Sequence, residues 1–354
     1  MPYQPCLPYT LDADAPSVTS HTREHVTCTI YGKDVRRDAC VAVIGTFDGL
    51  HLGHRALIDA AVADADERSV PAVAITFSPA PQEVFKADVV SSRLLSNDDR
   101  IAALMASGVD AVVCFDFTKE FAALSARDFV EGALLGTLNL AAVHVGENFS
   151  FGYRGEGTPE TLREICAECG VAVTIEQLTE EDGETVSSTR IRRLLKEGDV
   201  ASAEHLLGRP HYVRGHVVHG RGEGTSFGFP TANVVCDERI VMPSEGVYAT
   251  YVTMGTSFWP AATNVGLPPT FVTDVGHTAF LEANLIGFSG DAYGSDVAVE
   301  FSEWLRASHP FDSLEELERT VLGNIDWTRE HLREGGRLDG NDISRGQGAG
   351  TSGD

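Results

Sequence analysis

Between Cys40 and Gln177, five runs of the chain are apolar almost throughout and alternate with helical stretches. The runs are Cys40–Phe47, Val70–Phe77, Ala111–Phe115, Ala142–Val145 and Val171–Gln177. A strand with no polar face is tolerated only where both faces of its sheet are covered, so this pattern predicts a parallel sheet doubly wound by helices. The helices are expected at Gly53–Glu67, Asn97–Ser107, Ala126–Leu138, Thr158–Cys169 and Arg190–Lys196, with Asp98 and Asp99 in the first turn of the second and Pro159 opening the fourth. Open sheets of this kind take ligands at the carboxyl ends of their strands. That directs attention to the loops after Ile44, Phe77, Phe115 and Val145.

After about Gly208 the texture changes. Short alternating segments, Tyr212–Val218, Val247–Thr253, Ala279–Ile286 and Val297–Phe301, are punctuated by Gly, Pro and Asn, which predicts an antiparallel barrel or sandwich. A closing amphipathic helix is expected over Ser313–His331, with Leu314, Leu317, Val321, Leu322 and Ile325 on one face. The expected organisation is an N-terminal extension over 1–38, partly disordered; a first domain over 39–200; a second over 201–334; and a disordered Gly- and Asp-rich tail over 335–354. The stretch Lys196–Gly208 reads as a short linker.

Charge narrows the partners. Asp and Glu number 52 against 27 Lys and Arg, a net charge of −25, and both halves of the chain share the excess. Duplexes and anionic membranes are held mainly by Lys and Arg, so no nucleic-acid partner and no membrane surface is expected. A small phosphorylated ligand stays possible, given a local cluster of donors or a cation. No run approaches the ~18 apolar residues of a membrane span. The first 38 residues hold no apolar core of a secretory signal, and the seven cysteines form no disulfide framework, so a cytoplasmic location is expected. The oligomeric state stays open.

The strongest local signal directly follows the first strand. From Gly45 to His54 the chain reads G-T-F-D-G-L-H-L-G-H. Gly45 and Gly49 allow close approach of the backbone to a ligand. His51 and His54, three apart, stand at the first turn of the next helix, where free amides already favour an anion. Two imidazoles there suit phosphate oxygens whose charge grows in a transition state. Val145–Gly152 reads V-G-E-N-F-S-F-G, placing Asn148 at a strand end, and Ser187–Arg192 reads S-S-T-R-I-R.

These three motifs, in this order, with F-S-P-A-P over Phe77–Pro81, resemble the adenylyltransferase module of prokaryotic bifunctional riboflavin kinase/FAD synthetases. H-x-G-H and S-S-T-x-I-R also suit the wider nucleotidyltransferase superfamily. The resemblance implies a Rossmann-like nucleotidyltransferase fold in which His51, His54, Ser188, Thr189 and Arg192 hold the ATP phosphates. Gly45, Phe47, Asp48, Gly49 and Asn148 would then lie at the nucleotide and flavin phosphates. FMN would attack the α-phosphorus of MgATP, giving FAD and pyrophosphate. Ala80 departs from the family, which usually has histidine there.

Gly208–Gly220, the G-F-P-T-A-N of Gly228–Asn233, Pro243–Tyr248, Ala262–Phe271, Leu281–Leu285 and Asp291–Gly294 resemble, in order and spacing, the riboflavin kinase module of the same family. A small β-barrel with a C-terminal helix is implied. Pro230–Asn233 reads as a short rigid turn whose Thr231 hydroxyl and Asn233 amide oxygen suit Mg²⁺. Glu282 is a carboxylate in an otherwise apolar alternating strand, and a partly desolvated Glu can serve as a base. The resemblance makes it the base for the riboflavin 5′-hydroxyl. It also implies ATP contacts at Gly220, Gly228 and Pro230 and flavin contacts at Asn264, Tyr293 and Arg306. Arg221–Gly228 would be a loop over the phosphates, with Thr225 where the family often has Arg. Riboflavin, FMN and ATP would be substrates and Mg²⁺ the cofactor. Two other readings fit: one module has decayed, leaving a monofunctional kinase or adenylyltransferase, or the chain is a non-enzymatic flavin or nucleotide sensor.

Overall fold

A computed structural model describes residues 19–23, 26–85, 93–219, 231–266, 280–309 and 311–337. The chain divides into two compact units, with the main break between Ser187 and Ser188 and with Arg93 and Leu94 grouped with the later residues. One holds the parallel sheet and the other the barrel.

The first unit is built on a seven-stranded sheet ordered β1-β2-β5-β4-β3-β6-β7. Its strands are β1 (Thr19–Arg23), β2 (Val26–Gly32), β3 (Ala39–Ile44), β4 (Ala72–Ser78), β5 (Ala111–Asp116), β6 (Asn139–Gly146) and β7 (Ala172–Glu176). β3 to β7 are mutually parallel, as the apolar runs require. β3, β4 and β5 advance one way across the sheet and β6 and β7 the other, so the order reverses between β3 and β6. Ligands of open α/β sheets bind at such a reversal, outside the carboxyl ends of the strands.

The extension expected over 1–38 is corrected where it is described, at 19–23 and 26–38, and the rest of it lies outside the described residues. β1 pairs with β2, and β2 lies antiparallel against β5. Val26, Cys28 and Ile30 alternate inward, a period-two signal short enough to be taken for a loose segment.

Helix α1 (Leu52–Arg68) follows β3, and α2 (Pro81–Phe85) and α3 (Asn97–Met105) follow β4. The helix after β5, α4, starts at Ala126–Asp128, widens to a π-helical Phe129–Leu134 and closes at Leu135–Thr137. α5 (Pro159–Glu168) is capped by the Thr158 side chain, with Pro159 at its first turn as expected. A two-residue hairpin, β8 (Glu180–Glu181) and β9 (Glu184–Thr185), turns at Asp182 and Gly183, both at positive φ.

The second unit opens with helices α6 (Ser188–Glu197) and α7 (Val200–Leu207). α7 occupies the stretch expected to be a linker. Its signals are ordinary ones: Asp199 caps the start by accepting from the Ser202 amide, and Gly208 ends it in the left-handed region. The barrel strands are β10 (His211–Val218), β11 (Ala232–Cys236), β12 (Gly246–Met254), β13 (Ser257–Gly266), β14 (Phe280–Leu285) and β15 (Asp296–Arg306). They pair in the order β12-β15-β10-β11-β14-β13, and β13 closes on β12. Closure leaves no sheet edge among the six. Helix α8 (Leu314–His331) lays Val321 and Ile325 against Ala262 and Ile286, whereas Leu314 and Leu322 point outward rather than sharing that face. The tail expected to be disordered from 335 begins instead with β16 (Gly336–Arg337), paired with Ser257 and Phe258.

One carboxyl makes this unit pH-sensitive. Burial on α7, with the Glu303 carboxylate nearby, pushes Glu204 up to about 7. The folded state therefore holds a proton that the unfolded chain releases near 4.5, so stability falls as pH rises from about 4.5 to about 7. Glu204→Gln is expected to stabilise the unit at pH 8 by about 1–2 kcal/mol, allowing for solvent at a half-buried site. Thermal midpoints across pH check this; an equal gap between variant and parent at pH 4 and pH 8 would contradict it.

Candidate functional site

The loop after β3 runs directly into α1, and its backbone is unusual. Phe47, Gly49 and Leu50 have φ of 50°, 87° and 47°. Two of these are non-glycine residues in the left-handed region, a conformation retained only where surrounding contacts determine it. Phe47 is fully buried, and a Cβ on Gly45 would lie 3.0 Å from its ring, so glycine there makes room for it. Asp48 is buried, and its Oδ1 accepts from the Leu95 amide at 3.3 Å.

His51 caps α1. Its Nδ1 accepts the His54 amide at 3.3 Å, so the lone pair must sit on Nδ1. The neutral ring then carries its proton on Nε2, where it is a donor. The His54 ring stacks on that of His51 with centroids 3.7 Å apart, and Phe47 meets His54 edge-on at 5.3 Å. Burial, reinforced by His51, holds the His54 imidazole well below its usual value, so it is neutral near pH 7. Its Nδ1 is buried with no hydrogen-bond partner among the described residues. A buried orphan polar atom beside a donor imidazole and free helix amides suits an oxyanion ligand.

Asn148 lies in the turn after β6, across the strand-order reversal from the histidines. It is exposed, and a Cβ on Gly146 would stand 3.2 Å from its Oδ1. Ala80, beyond the cis Ser78–Pro79 bond, accepts the Glu83 amide through its carbonyl and presents no imidazole. Sequence reasoning missed a phenylalanine cluster at the carboxyl ends of β4 and β5. Phe77 contacts Phe115, Phe117, Phe121 and Phe129 with ring centroids 6.0–6.4 Å apart, and Phe149 stacks on Phe151 at 5.4 Å. Phe117 and Phe149 are only partly buried. These residues converge from β4, β5, α4 and the connections after β5 and β6, so no local pattern announces them.

Ser188, Thr189 and Arg192 belong to the second unit. Ser188 and Thr189 form the first turn of α6, whose Ile191, Leu194 and Leu195 are buried, whereas the helix was expected to begin at Arg190. Arg192 is half-buried.

In the barrel, strand register assembles the other residues. Asn233 of β11 is directly opposite Glu282 of β14, and Glu282 is directly opposite Asn264 of β13. Opposed residues of antiparallel strands share a face, with Cβ atoms ~4.5–5.5 Å apart. A carboxylate therefore stands between two carboxamides. The row continues through Val247 of β12 to Arg306 of β15. Asn233 is buried, Glu282 half-buried, and the Asn264 Oδ1 accepts from the Ser308 hydroxyl at 2.8 Å. Arg306 lies 5.5 Å over the Phe311 ring, and burial lowers its pKa. Thr231 directly precedes β11, and Ala232 and Asn233 lie within it, which corrects the rigid turn expected there. Tyr293 stands apart from the row, stacked on His219 at 3.8 Å. Gly220, Gly228, Pro230 and the expected Arg221–Gly228 loop lie outside the described residues.

Among the described residues no cluster of three His, Cys, Asp or Glu side chains suits a metal ion. Thr231 and Asn233 offer neutral, hard oxygens. That donor set fits Mg²⁺, which keeps several waters and is completed by substrate phosphates.

Comparison with known proteins agrees with this two-unit arrangement. A family model described as FAD synthetase matches residues 33–190, and one described as riboflavin kinase matches residues 207–332. The bifunctional riboflavin kinase/FMN adenylyltransferase of Escherichia coli (strain K12) is 37% identical over 286 residues, which cover 80% of this chain and 90% of that protein. The protein of the same description from Bacillus subtilis (strain 168) is 32% identical over 282 residues, 79% of this chain and 89% of that one. A crystal structure described as a macrolide-efflux protein from Streptococcus pneumoniae superposes with a TM-score of 0.76 at 30% identity, covering 84% of this chain and 98% of its own. No helix among the described residues is long and apolar enough to cross a membrane.

Proposed function

The chain belongs to the bifunctional riboflavin kinase/FMN adenylyltransferase family, and from that premise we propose how its residues divide the two reactions. It phosphorylates riboflavin to FMN in the C-terminal barrel unit and adenylylates FMN to FAD in the N-terminal sheet unit. Both steps consume ATP.

In the barrel unit, Glu282 accepts the proton of the riboflavin 5′-hydroxyl. The oxygen attacks the γ-phosphorus of ATP, the bond to the bridging oxygen breaks, and ADP leaves. The observation that carries this is the Asn233–Glu282–Asn264 row. It places the single carboxylate of the row beside the amide that would hold Mg²⁺ with Thr231. Bound there, Mg²⁺ would neutralise charge on the phosphates. Asn264 and Arg306 lie on the flavin side of the base. Tyr293, stacked on His219, lies outside that row, and Gly220, Gly228 and Pro230 take their ATP role from the family motif.

In the sheet unit, an FMN phosphate oxygen attacks the α-phosphorus of ATP and pyrophosphate leaves. His51, through Nε2–H, and His54 donate to phosphate oxygens as neutral imidazoles, joined by the free amides of α1. Gly45 and Gly49 let the loop backbone come close, and Phe47 fixes the position of the His54 ring. Asp48 and Asn148 lie nearer the ribose and flavin phosphates. Ser188, Thr189 and Arg192 enter this reading through their sequence motif as further phosphate donors. Phe117 and Phe149 offer a flat apolar surface to the isoalloxazine ring. Nothing covalent is required of the protein: catalysis is positioning and charge stabilisation.

Chromatography of products after incubation with riboflavin, ATP and Mg²⁺ tests the assignment. FAD, preceded by FMN and accompanied by ADP and pyrophosphate, is expected. FMN alone would confine activity to the barrel, the outcome that Ala80 favours. Unchanged riboflavin would overturn both assignments and leave the sensor reading.

A further inference from the structure

Behind the histidine loop lies a guanidinium that no motif singles out. Arg100, on α3, is 6% exposed. Its Nη1 donates to the carbonyl of Thr46 at 2.9 Å, and its Nη2 donates to the carbonyl of Phe77 at 2.8 Å and to the Asn97 Oδ1 at 2.8 Å. Thr46 belongs to the loop after β3, and Phe77 to the end of β4. One planar fork therefore ties together the carboxyl ends of two neighbouring parallel strands, where the ligand loops begin.

We propose that Arg100 is a positioning residue for adenylyl transfer, holding the Thr46 and Phe77 carbonyls so that the histidine loop keeps its working shape; this rests on the adenylyltransferase reading of the sheet unit. The Thr46 carbonyl also accepts from the buried Thr76 hydroxyl at 3.3 Å, and it stands directly before the left-handed Phe47. A backbone in that conformation persists only where its neighbours over-determine it. The Leu95 amide bonded to Asp48 restrains the same loop from the segment leading into α3. Together these contacts fix both ends of the run Thr46–Asp48, which His51 and His54 follow three and six residues on. Arg100 touches backbone carbonyls and an amide oxygen, not the reacting atoms, so its effect on chemistry is through the loop.

The test compares Arg100→Met and Arg100→Lys with the parent protein in the FMN-to-FAD reaction, well below each thermal midpoint. Arg100→Met is expected to lower kcat about 10²-fold with the KM for FMN little changed, the cost of a small misplacement of donors. Arg100→Lys reaches one carbonyl instead of two and is expected to recover about 10-fold of that loss. Riboflavin phosphorylation by the same chains should stay at the parent rate. A purely structural role would lower the thermal midpoint and leave kcat unchanged in the folded variant; that result, or equal kcat for both variants and the parent, overturns the proposal. If Arg100→Met does not fold, Arg100→Lys decides alone: kcat below the parent supports the proposal, and parent kcat overturns it. Parent protein that forms no FAD from FMN overturns the adenylyltransferase reading itself, and this proposal with it.

Discussion

His51→Ala is expected to reduce FAD formation from FMN by about 10²–10³ in kcat while leaving riboflavin phosphorylation near the parent rate. Besides the stack on His54, two interactions leave with the imidazole. One is the cap on α1, in which Nδ1 accepts the His54 amide; losing it costs about 1 kcal/mol of helix stability. The other is the Nε2–H donor that the cap fixes by holding the lone pair on Nδ1. His51→Asn separates them, because asparagine is a good cap but has no donor at the position of Nε2. The asparagine variant should regain the thermal stability lost by the alanine variant and stay equally slow. If asparagine restores the rate as well, the histidine serves the helix rather than the phosphates.

Glu282→Gln is expected to slow riboflavin phosphorylation by about 10²–10⁴, the range attributed to a general base. The substitution keeps size and hydrogen-bonding reach in the row between Asn233 and Asn264, so barrel closure should survive. The 5′-hydroxyl proton then has no acceptor in the row. Steady-state rates with riboflavin check this. A folded variant phosphorylating at the parent rate would remove Glu282 as the base.

The parts of the fold readable in the sequence are those governed by short-range patterns. Strands buried on both faces must be apolar throughout, so β3 to β6 stand out, and Gly45–His54 joins an apolar strand to a helix start within ten residues. β13 was obscured by Pro260, which lies where the pairing with β14 stops, so a proline in that strand does not interrupt the shared ladder. β11 was obscured because proline, threonine and asparagine at its start are turn formers as well. α7 was readable through Asp199 and Gly208 but is short enough to pass for a linker.

Site residues follow the same division. His51 and His54 are neighbours in sequence and stack in space. Asn233, Glu282 and Asn264 come together only through strand register, which a single sequence does not specify across long connections. Arg100 is less legible still. Its partners Thr46 and Phe77 are 54 and 23 residues away, and they accept through backbone carbonyls, which carry no side-chain signature.

The central claim is that one chain holds two chemically separate sites. The most direct measurement gives the Glu282→Gln protein FMN, ATP and Mg²⁺ in place of riboflavin and follows FAD by chromatography. FAD at the parent rate is predicted, because the sheet unit does not use the carboxylate. A folded Glu282→Gln protein that fails to make FAD from FMN would contradict the separation.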